Sequence, residues 1–477
     1  MSNGSRDTGA QLAAIRDGQP MGLRSVMALT VRLSVPAVLA QLSSIVMQYI
    51  DTAMVGCLGA EASASVGLVS TSTWMLSGLC SAAAAGFAVQ VAHALGAGDG
   101  KLARTLVRSA LGAVMALGFL LGAVGVALSG PLPGWLGGDP SIHPGATHYF
   151  RIYASFLPSL QLFVLMGALL RCSGNMRIPS LMSAMMCGLD VVFNYFLIFP
   201  TREVEILGLG LTMPGAGWGI AGAALGTGLA QLVAALWMTW YLWNRSQTIC
   251  PAGIRSGFWP SRRSLRRALR IGLPMGLEHV VICGAQILTT VIVAPLGVFA
   301  IAANSFAVTA ESLCYMPGYG IADAATTLVG QCYGAGRREL TRRFAWVAVT
   351  MGMVVMGLMG VLMYVGAPWI MESMTPVPEV RSLGVMALRI EAFAEPMFAA
   401  AIVAYGVFVG VGSTLVPCAM NLFSIWAVRL SLAAALAPTM GLKGVWLAMC
   451  IELCFRGVIF LIRLFRGRWL GGLKPGT

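Results

Sequence analysis

The sequence predicts an all-α polytopic membrane protein in which twelve transmembrane helices form two six-helix bundles related by a pseudo-twofold axis. Three observations predict this fold class. Only 10% of the 477 residues are charged and 57% are hydrophobic, whereas a soluble chain carries about 25% charged residues. Apolar stretches of about 20 residues, the length at which a helix crosses a bilayer, recur along the chain. The second half of the chain also repeats the first half at a constant offset.

The apolar stretches define twelve predicted spans, numbered in chain order. Their composition excludes two other classes of protein, because disordered chains are poor in aliphatic residues and the 58 glycines show no collagen period. The predicted spans are 28–55, 62–92, 105–129, 149–171, 178–200, 217–243, 269–294, 298–328, 344–369, 384–411, 415–437 and 444–465.

The basic residues gather at one face of the membrane. Of the 31 Lys and Arg residues, 24 flank the termini or lie in loops 2–3, 4–5, 6–7 and 8–9. Cytoplasmic loops carry such an excess, so both termini are expected to be cytoplasmic. Topology and contact with anionic lipids explain the net charge of +13 without a nucleic-acid partner.

These assignments divide the chain into two bundles with polar segments around them. The first 21 residues lack the apolar region of a signal peptide, so insertion is expected to begin at span 1. The predicted segments are a cytoplasmic tail at 1–27, an N-terminal six-helix bundle at 28–244, a basic cytoplasmic linker at 245–268, a C-terminal six-helix bundle at 269–465 and a cytoplasmic tail at 466–477.

The two halves share one register at an offset of 238 residues, without a gap from residue 36 to residue 179. Each half holds six spans, an even number, so the halves are expected to be parallel repeats about an axis along the membrane normal. Two such bundles enclose a cavity at their interface, which is a transporter architecture. The matching pairs include Pro36 and Pro274, Gly59 and Gly297, Gly96 and Gly334, Gly98 and Gly336, Pro158 and Pro396, Gly174 and Gly412, and Pro179 and Pro417.

Acidic and amide side chains inside the N-terminal bundle are the first candidate site. Asp51 lies near the outer end of span 1, and Asp190 lies in the middle of span 5 with Asn194 one turn further on the same face. Ionisable groups in a bilayer are expensive and face a cavity or a partner. We expect these residues to bind a proton or a coupling cation; the alternative is a structural carboxylate hydrogen-bonded to a neighbouring helix.

Glutamates inside the C-terminal bundle are the second candidate site, for substrate recognition or coupling. Glu278 follows Pro274 by four residues in span 7, Glu311 lies in span 8, and Glu395 follows Glu391 by one turn in span 10. The repeat counterpart of Asp51 is Thr289, so the acidic residues do not follow the repeat. This asymmetry indicates different tasks for the two bundles, although drift would also produce it.

Other intramembrane features are assigned structural roles. Arg429 in span 11 and the i, i+4 pair Glu452 and Arg456 in span 12 are interpreted as internal ion pairs, because an unpaired buried charge costs several kcal/mol. Matched prolines in spans 1, 4, 7 and 10 predict kinks, which serve either as hinges or only to shape the bundles. These prolines are Pro36, Pro158, Pro274 and Pro396.

Motifs of enzymes and metal sites are missing from the sequence. It contains no HExxH, no GxSxG and no Cys/His cluster, and none of the eleven cysteines forms a CxxC. The glycine-rich stretch at 96–101 lacks the first glycine and the Ser or Thr of a phosphate-binding loop. We therefore expect neither an enzyme nor a metal site.

Several short stretches, each weak alone, are specific at their combined spacing and resemble the multidrug and toxic compound extrusion (MATE) transporters from about residue 28 to residue 465. The resemblance implies two six-helix bundles, a V-shaped central cleft, and export of drug-like, often cationic and aromatic compounds against a proton or sodium gradient. The stretches are 51–62, 94–98, 174–179, 219–224, 328–331 and 334–336.

The resemblance carries over only to some positions. The acidic residue that the family has in span 1 matches Asp51, and its polar pair in span 5 falls on Asp190 and Asn194 in reversed order. The carboxylates that the sodium-coupled branch has in spans 7 and 10 align with Ile282 and Phe398, so those ligands are missing here. Glu278 and Glu311 look like those of a less characterised bacterial branch.

The sequence therefore predicts a secondary active antiporter that exports organic compounds in exchange for protons or sodium ions. Its expected partners are a small organic substrate and membrane lipids, its expected state is a monomer, and no cofactor besides the coupling ion is expected. The alternative is a flippase for a lipid-linked precursor. A cleft with several Arg side chains would favour a flippase, and the few intramembrane basic residues, Arg429 and Arg456, argue against it.

Overall fold

The computed structural model of the chain describes residues 3–206, 209–246, 248–251 and 257–471, and this part is almost entirely helical. It contains ten helices that are long and apolar enough to cross a membrane. Two further spans are each a pair of helices that meet at a bend. Twelve spans are therefore present in the described part of the chain, and the predicted fold class is confirmed.

The first half of the chain forms spans 1 to 6. Span 4 is a bent pair of helices, and the other five spans are continuous. The bounds are Leu23–Gly56, Ala60–Gly96, Gly100–Leu128, His143–Ser155 with Leu157–Cys172, Arg177–Ile198 and Gly219–Asn244.

The second half forms spans 7 to 12. Span 10 is a bent pair, and span 11 passes through seven residues of π-helix in its middle. The bounds are Arg262–Val293, Val298–Gly334, Arg338–Met374, Pro378–Glu391 with Glu395–Gly410, Leu415–Phe423 through Ser424–Leu430 to Ser431–Met440, and Leu442–Arg466.

Shorter elements connect the spans. An N-terminal helix covers Asn3–Arg16, a single turn covers Leu132–Trp135, and 3₁₀ turns cover Ala294–Leu296 and Arg468–Leu470. The polar insertion after span 5 forms an antiparallel hairpin of β1 (Pro200–Ile206) and β2 (Leu209–Ala216), in which Ile206 pairs with Leu209. No span is predicted for residues 201–216, because this stretch lacks an apolar run long enough to cross a bilayer.

Helix ends differ from the predicted segment boundaries. Span 1 begins at Leu23, inside the predicted tail 1–27, and span 7 begins at Arg262, inside the predicted linker 245–268. The Ser261 hydroxyl caps span 7 by accepting a hydrogen bond from the amide of Ser264 at 3.2 Å. Hydropathy marks where the hydrocarbon ends, whereas the helical hydrogen bonds continue into water. Residues 247, 252–256 and 472–477 of the predicted linker and tail lie outside the described residues.

The repeat appears in the helix bounds themselves. Spans 2 and 8 both have 37 residues, and their ends, 60–96 and 298–334, are displaced by the repeat offset. The repeated glycines follow from backbone geometry: Gly98 and Gly336 have φ of 75° and 76°, and Gly174 and Gly412 have φ of 86° and 80°. Only glycine adopts this left-handed conformation at no steric cost, so the turns require it.

Each bundle has its own apolar core. In the first bundle, large side chains such as Leu165, Leu169 and Met182 are fully buried between spans 2 to 6. In the second bundle, Phe344 and Phe408 are buried among spans 8 to 12. The first half of span 1 packs on this second core, and Ile15 of the N-terminal helix is fully buried in it as well.

The matched prolines have two different local structures. Span 4 bends by 47° at the break before Leu157–Cys172, where Pro158 lies in the first turn. Span 10 bends by 59°, and Pro396 again lies in the first turn after the break. Pro36 and Pro274, however, lie inside helices that continue without a break.

Near the N-terminal helix and the end of span 12, two of the hydrogen bonds that join the bundles form a related pair. The His93 ring nitrogen Nε2 lies 2.8 Å from the carbonyl oxygen of Gly410 and donates to it, since a carbonyl can only accept. Gln331 Nε2 donates to the carbonyl of Cys172 at 2.7 Å. The two donors, His93 and Gln331, occupy equivalent positions of the repeat, and so do the two acceptors, Cys172 and Gly410. The two bonds are therefore related by the pseudo-twofold axis. We call them the paired seal.

The bundles also touch nearer the opposite end. The Tyr49 hydroxyl of span 1 donates to the carbonyl of Thr309 in span 8 at 2.8 Å. The Cys283 thiol of span 7 lies 4.0 Å from the carbonyl of Thr71 in span 2. The two acceptors are again separated by the repeat offset. At this end the interface is therefore formed by spans 1 and 8 and by spans 2 and 7.

Close packing at the paired seal predicts that Gly96→Ala destabilises the protein. A Cβ atom at Gly96 would overlap the backbone carbonyl of Gln331, which cannot move as a side chain can. Overpacking of this kind costs about 1–3 kcal/mol, so the midpoint of thermal unfolding in detergent should fall. Gly100→Ala is the control, because nothing lies within 4 Å of its Cβ position. Equal midpoints for the two variants would contradict the close packing.

Candidate functional site

The structure brings together the three predicted residues of the N-terminal bundle. The side-chain nitrogen of Asn194 donates to Asp51 Oδ1 at 2.8 Å and to Asp190 Oδ2 at 3.2 Å. Asp190 and Asn194 are fully buried, whereas Asp51 is half-buried. Two carboxyl groups on different spans are thus held by the two N–H bonds of one amide.

Local packing explains how Asn194 reaches both carboxyl groups. Asp190 and Asn194 share one face of span 5 because they are one turn apart. Gly226 of span 6 leaves the space for the amide, since a Cβ atom there would overlap the Asn194 side-chain oxygen. The sequence marked Asp190 and Asn194 by their spacing, but it gave no signal for Gly226.

Oxygen atoms at this site are left with unused acceptor capacity. Asp190 Oδ1 and Asn194 Oδ1 are buried and have no hydrogen-bond partner among the described residues. Two ionised carboxylates on one amide repel each other, and a proton or a cation between them removes that repulsion. Oxygen ligands of this kind suit a proton or a hard cation. Tyr149 of span 4 is close enough to interact electrostatically with both carboxyl groups, and sequence reasoning missed it.

In the C-terminal bundle, Glu278 is the centre of a hydrogen-bond network between spans 7, 10 and 11. Its Oε2 accepts from the Tyr405 hydroxyl at 2.6 Å and from the Cys418 thiol at 2.9 Å. Its Oε1 accepts from the Asn421 amide at 2.5 Å. Glu278 is buried, and all three donors are neutral. The sequence predicted Glu278, but not the partners, which come from spans far apart in the chain.

Glu452 carries the internal ion pairs of the same bundle. Arg429 approaches its Oε2 at 2.8 Å, and Arg456 approaches its Oε1 at 2.9 Å and its Oε2 at 3.0 Å. The Ser424 hydroxyl donates to Oε1 at 2.5 Å. Ser424 and Arg429 are five residues apart in the π-helical segment, whose i to i+5 geometry turns both side chains toward Glu452.

Glu391 and Glu395 are the least satisfied acidic residues of the bundle. Both are fully buried, and all four carboxyl oxygens lack a hydrogen-bond partner among the described residues. Glu311 is buried nearby and interacts electrostatically with Arg429 and Arg456. Both guanidinium groups already bind Glu452, so this cluster of Glu311, Glu391 and Glu395 would hold an excess of negative charge if ionised. A proton or a cation would neutralise it.

Two further residues, His279 and Phe398, lie outside the hydrogen-bond networks of these acidic residues. His279 faces span 2 at the bundle interface, where its ring lies 5.9 Å from the Trp74 ring, and it does not bond to Glu278. The Phe398 ring lies 5.5 Å from the Arg456 guanidinium, at the place where the sodium-coupled branch has a carboxylate. The ring thus makes a cation–π contact with this guanidinium and offers no carboxylate oxygen to a cation.

The chain is similar to curated proteins along nearly its full length. It is 25% identical over 445 residues to the probable multidrug resistance protein NorM of Thermotoga maritima, with 92% of each chain covered. It is also 25% identical over 446 residues to the multidrug resistance protein PmpM of Pseudomonas aeruginosa, covering 91% of this chain and 90% of that protein.

Solved structures share the fold. An outward-facing multidrug resistance MATE family transporter of the MOP superfamily superposes with a TM-score of 0.86 at 21% identity, covering 97% of this chain and 98% of the other. A MOP superfamily transporter from Pyrococcus furiosus superposes with a TM-score of 0.86 at 20% identity, covering 96% and 98%.

A family model finally accounts for both halves of the chain. The model described as MatE matches residues 36–196 and 274–434. The second match begins and ends 238 residues after the first, which is the offset of the repeated motifs. Because these two matches cover more than half of the sequence, the chain belongs to the MatE family, as its sequence predicted.

Proposed function

We propose that the chain is a secondary active antiporter that exports organic compounds, often cationic and aromatic, in exchange for protons or sodium ions. It acts as a monomer in a bacterial inner membrane with both termini cytoplasmic. One observation carries the proposal: a single amide, Asn194, holds the carboxyl groups of Asp51 and Asp190 inside the first bundle. The names of the relatives as multidrug resistance proteins support the substrate class.

Span 1 connects this site to the bundle interface. Asp51 faces span 5 of its own bundle, whereas Tyr49, two residues earlier, lies on the opposite face and bonds to Thr309 of the other bundle. Binding or loss of a proton or cation changes the attraction between spans 1 and 5. A shift of span 1 then acts on its contacts with span 8, which is how the site biases the inward-facing and outward-facing states.

The C-terminal bundle supplies a second set of carboxyl groups for substrate recognition or coupling. The Glu278 carboxyl group is bonded to neutral donors and, among the described residues, to no cationic side chain, which suits recognition of a cationic substrate. The cluster of Glu311, Glu391 and Glu395 suits uptake of a proton or a cation, because its charge is not balanced. The flippase alternative is not favoured: Arg429 and Arg456 bind Glu452 and are not free for a lipid pyrophosphate.

Asp51→Asn should abolish ion-driven transport while the fold stays intact. Asparagine has the same size but holds neither the proton nor the negative charge. The assay is uptake of a fluorescent cation into everted vesicles, first under an imposed pH gradient and then under a sodium gradient. The wild type should respond to one gradient, which identifies the coupling ion, and the variant should fall to background under both.

A matched control is Glu61→Gln, which removes an exposed acidic residue from the first turn of span 2. It should transport like the wild type. Equal elution volume and melting temperature of the Asp51→Asn variant would exclude misfolding. Full transport by that variant would refute coupling at Asp51.

Glu278→Gln should change the substrate range, with a rise of about tenfold in KM for at least one organic cation. The loss of a charged hydrogen-bond partner typically costs about 1.5–3 kcal/mol. Tyr405→Phe is the control, because it removes one donor and keeps the carboxylate, and it should preserve the order of preference among cations. If the Glu278→Gln variant transported several cations with the KM of the wild type, Glu278 would have only a structural role.

Alternating access requires that the paired seal opens, so weakening it should expose the interface. His93→Leu leaves the Gly410 carbonyl without this donor at a cost of about 1–3 kcal/mol. We therefore expect alkylation of the buried Cys172 and Cys332 by N-ethylmaleimide to accelerate about tenfold, measured by peptide mass spectrometry. Gln331→Leu should act alike. His93→Gln, which copies the repeat counterpart, should retain the slow rate, and unchanged rates in both Leu variants would contradict the seal.

A further inference from the structure

Two grooves flank Trp346 on the outer surface of the second bundle, near the end that carries the termini. The first, of about 320 Å³, lies between spans 9 and 12 and is lined by Leu461, Ile462, Phe465 and Arg466 together with Trp346. The second, of about 290 Å³, lies between span 9 and the start of span 1. Its lining residues are Leu23, Glu339, Arg342, Arg343, Trp346 and Val347.

Unpaired positive charge gathers in these grooves. Arg342 and Arg343 line the second groove and Arg466 lines the first, and all three are exposed. Among the described residues, none of these three guanidinium groups takes part in a hydrogen bond, an ion pair or a contact with an aromatic ring. Glu339 is the single acidic residue in the lining, so the grooves carry a net positive charge.

The walls of the grooves are apolar and exposed. Phe465 is 68% exposed, Leu23 is 60% exposed and Ile462 is 45% exposed, although all three lie at the ends of membrane spans. Tryptophan is the residue that membrane proteins place at the level of the lipid headgroups, where its indole N–H finds polar partners. Exposed guanidinium groups beside exposed apolar walls suit a ligand that combines phosphate groups with apolar chains, whereas free phosphate has no apolar part to contact the walls.

We propose that the two grooves together bind one anionic phospholipid that carries two phosphates. One phosphate binds Arg342 and Arg343 and the other binds Arg466, while the acyl chains lie along the apolar walls on the two sides of Trp346. Basic pockets between membrane helices at the cytoplasmic face recognise such headgroups in this way. Because Leu23 belongs to span 1 and Trp346 to span 9, the lipid contacts helices of both bundles.

The test measures lipid binding to the full-length protein in detergent. Native mass spectrometry after addition of diphosphatidylglycerol should detect one tightly bound molecule, and phosphatidylcholine should not be retained. Each of Arg342→Gln, Arg343→Gln and Arg466→Gln should weaken binding about fivefold, since one basic residue near an anionic lipid contributes about 1 kcal/mol. Unfolding temperatures of the variants should match the wild type without lipid.

A matched control separates this site from general attraction to a basic surface. The triple variant Arg262→Gln, Arg263→Gln, Arg266→Gln removes three exposed charges near the same end, on span 7, outside the grooves. It should bind diphosphatidylglycerol like the wild type. Equal loss of binding in this variant and in a second triple variant, which combines Arg342→Gln, Arg343→Gln and Arg466→Gln, would overturn the proposal. Equally tight binding of phosphatidylglycerol, which has one phosphate, would also overturn it.

Discussion

An acidic side chain in the hydrocarbon core of a bilayer needs a counter-charge or hydrogen-bond donors when it is ionised, and otherwise it binds a proton and becomes neutral. Glu452 meets this requirement with two guanidinium groups, and Glu278 meets it with three neutral donors. Asp51 and Asp190 meet it only in part, because they share one amide. The carboxyl groups that the protein leaves incompletely satisfied are those that gain most from taking up an ion, which is the physical reason for placing the proposed ion coupling at Asp51 and Asp190.

Some contacts between the bundles follow the repeat, whereas the ionisable groups do not. The paired seal joins His93 and Gln331 to acceptors that are themselves repeat counterparts. By contrast, the position equivalent to Glu278 in the first half is Ala40. The repeat-related contacts suit the proposed motion of two similar bodies against each other, and the unequal interiors suit the proposed difference in ligand between the two bundles.

Local sequence rules predicted what depends on neighbours along the chain. The spacing of Asp190 and Asn194 placed them on one face, and the cost of a buried charge predicted the pairing of Arg429. The bond from Asn194 to Asp51 depends on how spans 1 and 5 pack and on the space at Gly226, which no local pattern encodes. A proline likewise removes one hydrogen bond, but tertiary packing decides whether the helix breaks, as near Pro396, or continues, as at Pro36.

The acidic sites of the two bundles differ in burial, and therefore in how easily an ion can reach them. Asp51 is half-buried and belongs to the span that touches the other bundle, so a proton or cation can reach it when the bundles separate. Glu391 and Glu395 are fully buried inside one bundle, and exchange there requires spans of that bundle to move apart. Opening an interface between two bodies disrupts fewer contacts than opening a packed core. This difference favours the first bundle over the second as the place where the proposed ion exchange is coupled to motion between the bundles.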